Sequence, residues 1–408
     1  MGPRLSKSGL ALLTYSFLVS ITYFVASEVY PDAFDIVTLA LKPTCVNRQM
    51  VTSVNKFILP QPRNVHIIAN RGCDVFETFG ENVICYQEDT LVPSLNATFV
   101  SMWFSTRVKD HPAQIDAKRI QQRSTWFFQQ FMKLAAAAHI PGLSEYFVIF
   151  DSDMIALRPL TWFLPLNATS HLDDEKPRLP ASAQQPYPAV RPVPGKSEDG
   201  CVNPHSFRML VNVGGWLPKY GYMRTYELLT GRSIIYGHDN TSLVAHSTVV
   251  YKPYMAEFLE SITMEKYRDI THGWILSIID AVLDLQADTA PLNNRWRNIP
   301  LETNEVVMGF SEFWSYLSWV QDLYPCAFRQ AAQRTWTRMP SQFPRTLSIA
   351  VKVDEKNYID VCCPTADGIR ATREHGLYFT GYELGHLRYC NYHHEAFHDG
   401  YAAWYQAT

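Results

Sequence analysis

The chain has 408 residues, enough for one large domain or two modest ones, and at 47% hydrophobic and 18% charged it is too apolar for an intrinsically disordered protein. A formal net charge of -3 and the lack of a basic stripe argue against nucleic acid as a partner.

Residues 1–8 hold Arg4 and Lys7 and read as a cytoplasmic tail. Gly9 to Ser27 follows without a single charge. A bilayer-spanning helix takes about 20 mostly apolar residues, and flanking basic residues keep their side cytoplasmic, so 9–27 reads as a single-pass signal anchor with the rest of the chain lumenal. The small residues at Ala26 and Ser27 leave a cleaved signal peptide as the alternative. Either way the chain enters the secretory pathway. Two features agree. Asn96, Asn167 and Asn240 each open an N-glycosylation triplet, and the eight cysteines (45, 73, 85, 201, 326, 362, 363 and 390) form an even set suited to disulfides, spaced unlike a zinc site. Spacing leaves their pairing open.

Phe34 to Ala40 and Val65 to Ala69 read as buried strands, and Val83 to Tyr86 as a third; Gln49 to Leu59 between the first two has helical character and stops at Pro60. Strand, helix, strand predicts an α/β fold with a parallel, Rossmann-like sheet of nucleotide-binding type. Arg119 to His139 is the clearest helix, ended by Pro141-Gly142, and Tyr146 to Phe150 is a strand running straight into Asp151. From His171 to Gly200 the chain turns proline-rich and polar and reads as an insertion. Residues 28–338 are expected as the lumenal catalytic domain, with 339–408 a strand-poor extension stapled by Cys362, Cys363 and Cys390.

The segment FVIFDSDMIALRPL carries the chemistry. A buried strand delivers Asp151 and Asp153 to the carboxyl edge of a sheet, where open α/β folds bind ligands. Hard divalent cations such as Mn²⁺ or Mg²⁺ take one or two carboxylates plus substrate phosphate oxygens, and a departing diphosphate needs such a charge beside it. A bare D-x-D is common by chance; its place after five apolar residues makes this one specific. On the preceding helix Arg123, Trp126, Gln130 and Lys133 fall on one stripe, and Phe127, Phe131, Leu134 and Ala138 on an apolar one. The first stripe reads either as a nucleotide-binding face, with the cations on phosphate, or as an ordinary solvent face.

R-x-x-W-x-x-Q-Q-x-x-K followed by Y-F-V-I-F-D-S-D-x-x-x-L-R-P resembles a poorly characterised D-x-D-containing family of GT-A type glycosyltransferases. Leu243 to Ile262 and Gly309 to Val320 match more loosely, so the resemblance spans most of 35–320. It implies a GT-A-like mixed sheet flanked by helices. It also implies a nucleotide-sugar donor and a divalent ion at Asp151 and Asp153, with Arg123 and Lys133 near the diphosphate. In related enzymes a later histidine completes the metal shell, and His246 lies in the matching segment; its other reading is a structural histidine. Glu312 is the candidate carboxylate toward the acceptor, as base or as charge stabiliser, or else a helix N-terminal residue placed against the dipole. The acceptor class is a glycan, glycoprotein or glycolipid. Anchored transferases of this topology point to the Golgi. Two rivals stand against this reading. One is a D-x-D phosphatase, with Asp280 and Asp284 as its later acidic pair, although Ile155 replaces its usual Thr or Val. The other is a membrane-anchored sugar-binding protein on a transferase fold that has lost its activity.

Overall fold

The computed structural model describes residues 30–110, 117–166, 189–214, 220–237, 240–287, 309–332, 335–338, 348–352, 358–362, 364, 369–370, 373–374 and 376–382. The expected anchor at 9–27 and most of the proline-rich stretch lie outside them. Among the described residues no helix is long and apolar enough to cross a membrane.

The strands are β1 (Phe34–Ala40), β2 (Val65–Ala69), β3 (Val83–Gln87), β4 (Tyr146–Phe150), β5 (Met154–Ala156), β6 (Phe163–Pro165) and β7 (Val190–Arg191), then β8 (Phe207–Val211), β9 (Ser247–Tyr251), β10 (Phe328–Ala331), β11 (Trp336–Arg338), β12 (Ser348–Lys352), β13 (Tyr358–Cys362) and β14 (Phe379–Gly381). The main helices are α1 (Cys45–Phe57), α2 (Ala97–Asp110), α3 (Ala117–His139), α4 (Tyr220–Thr230), α5 (Lys252–Ser261), α6 (Gly273–Ala287) and α7 (Glu312–Leu323).

The central sheet has the order β3-β2-β1-β4-β9. Its first four strands are parallel, as the strand–helix–strand pattern predicts, and β9 joins antiparallel to β4 with Phe150 opposite Ser247. β2 is buried along its whole length, and β1 and β4 over all but one residue each, which is why they read as unbroken apolar runs. From β1 the chain crosses through α1 to β2, and from β3 it returns through α2 and α3 to β4 on the other side of β1. Strand order therefore reverses between β1 and β4. Right-handed crossovers in opposite directions put α1 and α3 on opposite faces and leave a crevice at the carboxyl ends of those two strands. Asp151 is the first residue past β4, at that crevice.

Helix α1 begins at Cys45, four residues before the expected start, because the Thr44 hydroxyl caps it by accepting from the Asn47 amide. In α3 the buried face is wider than one stripe: Phe128 and Met132 are buried with Phe127, Phe131 and Leu134, while Ala138 is exposed. The helix lies between β1 and the pair α5 and α7, so two of its faces are covered. Beyond 339, where few strands are expected, β12 pairs with β13, and β14 packs between β11 and β5. These segments are short and sit between turn formers, so no alternation shows them in the sequence. Two disulfides, Cys73–Cys85 and Cys201–Cys326, join described residues.

At the amino end of the sheet, Asp35 is fully buried. Arg63 donates to both of its oxygens at 3.1 and 2.6 Å, the amides of Asn64 and Ser144 donate at 3.0 and 2.7 Å, and His66 lies 3.4 Å away. Burial pushes the Asp35 pKa up, but these partners outweigh it and hold it well below the ordinary carboxylate value. The unfolded chain therefore binds the proton first. The stabilisation is complete above about pH 4 and declines as the pH falls further. Asp35→Asn is expected to cost about 1.5–3 kcal/mol at pH 7, and less at pH 3, in urea unfolding at the two values. An equal loss at both would remove the carboxylate from this account.

Candidate functional site

The turn after β4 brings together residues that are far apart in sequence. Lys133 on α3 places its ammonium 2.6 Å from Asp151 Oδ1 and 2.8 Å from Glu312 Oε1. The Gln130 side-chain amide faces the same Glu312 carboxylate and donates to it in the orientation that satisfies both groups. The ring of Phe313 lies 4.4 Å beneath the ammonium. On the other side of Asp151, His246 Nδ1 is 2.8 Å from Oδ2, and the His246 carbonyl accepts the Asp151 amide at 3.0 Å. Both carboxylate oxygens of Asp151 are thus engaged. Burial by itself pushes the Asp151 pKa up; the Lys133 charge and the His246 contact override it and hold the group below the ordinary carboxylate range. Burial likewise depresses Lys133, yet its two carboxylates win and raise it above the usual lysine value. Lys133 and Asp151 therefore form a charged pair at neutral pH.

The predicted stripe on α3 is real but graded. Arg123 is exposed, Trp126 is half-buried and stacks on Tyr222 with ring centroids 6.4 Å apart, and Gln130 and Lys133 are buried at Glu312. The periodicity put all four on one face; α7 covers only the end near the acidic turn. Glu312 is the first residue of α7, capped by Ser311, and is only 3% exposed. It is engaged by Lys133 and Gln130 and does not present a free carboxylate to an acceptor hydroxyl.

Asp153 is half-buried, and its carbonyl accepts the Tyr382 amide at 2.7 Å. Two carboxylates and an imidazole are donors of the kind that Mn²⁺ or Mg²⁺ accepts. Among the described residues, however, no three His, Cys, Asp or Glu side chains surround one point as a ready cage. Of the expected trio, Asp151 and His246 are in contact and Asp153 is adjacent along the turn.

Several features that shape this site were not read from the sequence. His246 adopts φ 56°, which costs a non-glycine residue roughly 1–2 kcal/mol and is held here by its two bonds to Asp151 and by the Trp336 ring, 4.5 Å away edge-on. The loop leading to His246 runs so close to Gly214 that a Cβ there would sit 2.5 Å from the Val244 carbonyl. Asn212, in V-N-V-G-G, donates to Ser247 at 3.1 Å and accepts from Thr335 at 2.9 Å, tying β8 to the neighbours of both His246 and Trp336. A polar residue inside an apolar run followed by two glycines was the available clue. Asp280, half of the phosphatase-type acidic pair, is taken up by Lys266 and Tyr267, each at 2.5 Å.

A model of a family of unknown function, DUF6492, matches residues 48–163, a span that includes Lys133, Asp151 and Asp153 but not His246 or Glu312. No curated protein matches the chain. Among solved structures, an active-site mutant of LgtC is similar at 11% identity, over 68% of this chain and 84% of that one, with a TM-score of 0.28. The galactosyltransferase LgtC with donor and acceptor sugar analogs gives 11% identity, the same coverage and 0.27. Mouse xyloside xylosyltransferase 1 in its apo form gives 7% identity over 76% of this chain and 88% of that one, with 0.32. At such TM-scores these likenesses carry no weight for the reaction, and the site stands on its own geometry.

Proposed function

We propose that the chain is a glycosyltransferase that moves a sugar from a nucleotide-sugar donor to a glycan, glycoprotein or glycolipid acceptor, with a divalent ion at the Asp151–Asp153 turn. One observation carries the reading: an acidic pair follows a buried parallel strand at the point where strand order reverses, and its first member is locked between a lysine and a histidine. Mn²⁺ or Mg²⁺ bound there would be held by Asp151, Asp153 and His246 and would offset the charge of the departing diphosphate. The protein residues do the positioning. Lys133 holds Asp151 in place and Glu312 holds Lys133, so the acidic turn is set before the donor arrives. Trp126 and Arg123, toward the exposed end of the same helix face, would meet the nucleotide in this reading.

The compartment follows from the same reading: a single-pass type II membrane protein of the Golgi with a lumenal catalytic domain. Two disulfides suit an oxidising lumen, and Asn240 is exposed while Asn96 is half-exposed at the start of α2, accepting from the Phe99 amide at 2.9 Å.

The test is donor hydrolysis by the full-length protein across a panel of nucleotide sugars with Mn²⁺, then with chelator. One or a few donors should be hydrolysed, and chelation should abolish the activity. Hydrolysis of none across the panel, or activity indifferent to chelator, would contradict the proposal.

A further inference from the structure

The turn that carries the acidic pair is held from two sides. On one side stands the start of α1. Asn47 Nδ2 donates to the Ser152 carbonyl at 2.8 Å, while its Oδ1 accepts from Thr44 Oγ1 at 2.7 Å. Both ends of this buried amide are therefore committed, and its orientation is fixed. Nearly two turns further along α1, Ser53 Oγ accepts the Ala156 amide at 3.0 Å. On the other side stands β14. It pairs with β5 from Met154 to Ala156, and the Tyr382 amide donates to the Asp153 carbonyl at 2.7 Å. The carbonyls of Ser152 and Asp153 are thus gripped by two segments more than 300 residues apart in the chain.

We propose that Asn47 is a positioning residue for the Asp151–Asp153 pair, holding the turn from the α1 side as Tyr382 holds it from the β14 side. This rests on the reading of the turn as the donor site. Fixing the two carbonyls fixes the peptide planes on either side of Asp153, and with them the direction in which its carboxylate leaves the backbone beside Asp151. The C-terminal region is then part of the donor site and not an appendage to it. Residues that orient first ligands in this way commonly change metal affinity by about 10–100-fold when altered.

The discriminating variant is Asn47→Asp. It keeps the size of the side chain and its acceptor for Thr44, but it replaces the donor to Ser152 with an oxygen. Two measurements on the full-length protein decide the matter. Hydrogen exchange in the peptide covering 150–157 should quicken about tenfold or more in the variant, while the β2 peptide is unchanged; equal exchange in the two proteins would overturn the positioning role. Mn²⁺-dependent binding of UDP and GDP should weaken by about tenfold or more for whichever the wild type binds, and unchanged affinity would also overturn it. A wild type that binds neither nucleotide with Mn²⁺, in a chain whose exchange responds as expected, would locate the failure in the donor-site reading and leave the positioning role standing.

Discussion

Lys133→Met is expected to destabilise the protein by about 3–5 kcal/mol, because it removes the cation between the Asp151 and Glu312 carboxylates and leaves them facing one another. The ammonium lies 2.6 Å from half-buried Asp151 and 2.8 Å from Glu312, with which it is buried. Methionine fills most of the lysine volume, so the loss reports charge and not a cavity. A fall in melting temperature on the order of 10 °C corresponds to that loss. Adding Glu312→Gln removes one of the stranded carboxylates and can keep a hydrogen bond to Gln130, so the double variant should recover part of the stability. This coupling separates the pair from two independent surface effects. Thermal melts of the wild type, both single variants and the double variant measure it. If Lys133→Met melts within 2 °C of the wild type, the ion cluster does not hold the site together.

Asp153→Asn is expected to lower sugar transfer by about a hundredfold to a thousandfold, the range seen when one preorganised electrostatic contact to a developing charge is removed. The unliganded melting temperature of each protein is the baseline against which the effect of donor is read. With Mn²⁺ present, saturating donor stabilises the wild type, by about 2.7 kcal/mol at a hundredfold excess over Kd. That increment should vanish in the variant and in chelated wild type. The amide keeps the size of the carboxylate but not its charge, so an ion–diphosphate cluster loses a ligand. Transfer by the variant at the wild-type rate would sink the metal-dependent reading. Asp151→Asn is the less clean experiment, since it also leaves Lys133 one carboxylate short.

How far the sequence reached can be judged residue by residue. Buried parallel strands are nearly continuous apolar runs, so β1, β2 and β4 were legible with their boundaries, and α1 and α3 were legible from period and from the prolines that end them. The position of Asp151 at the carboxyl edge followed from the strand that precedes it. These are local properties: each depends on the hydrophobicity and backbone preferences of fewer than about 25 neighbouring residues.

Periodicity also put Arg123, Trp126, Gln130 and Lys133 on one helix face, but a face does not say what it meets. Lys133 meets Glu312 across 179 residues of sequence, Asp151 meets His246 across 95, and Ser152 meets Asn47 across 105. Partners at such separations are chosen by which elements the sheet order and helix packing bring together, and no window of the sequence contains both. The same holds for β14, three residues long, which is a strand only because β5 and β11 stand on either side to take its hydrogen bonds. Sequence by itself determined the kind of sheet and the edge where the acids emerge. Tertiary structure decided that Lys133 is an internal counter-ion, that Glu312 is its engaged partner, and that the C-terminal region closes on the turn, because charge pairing and strand pairing act through space.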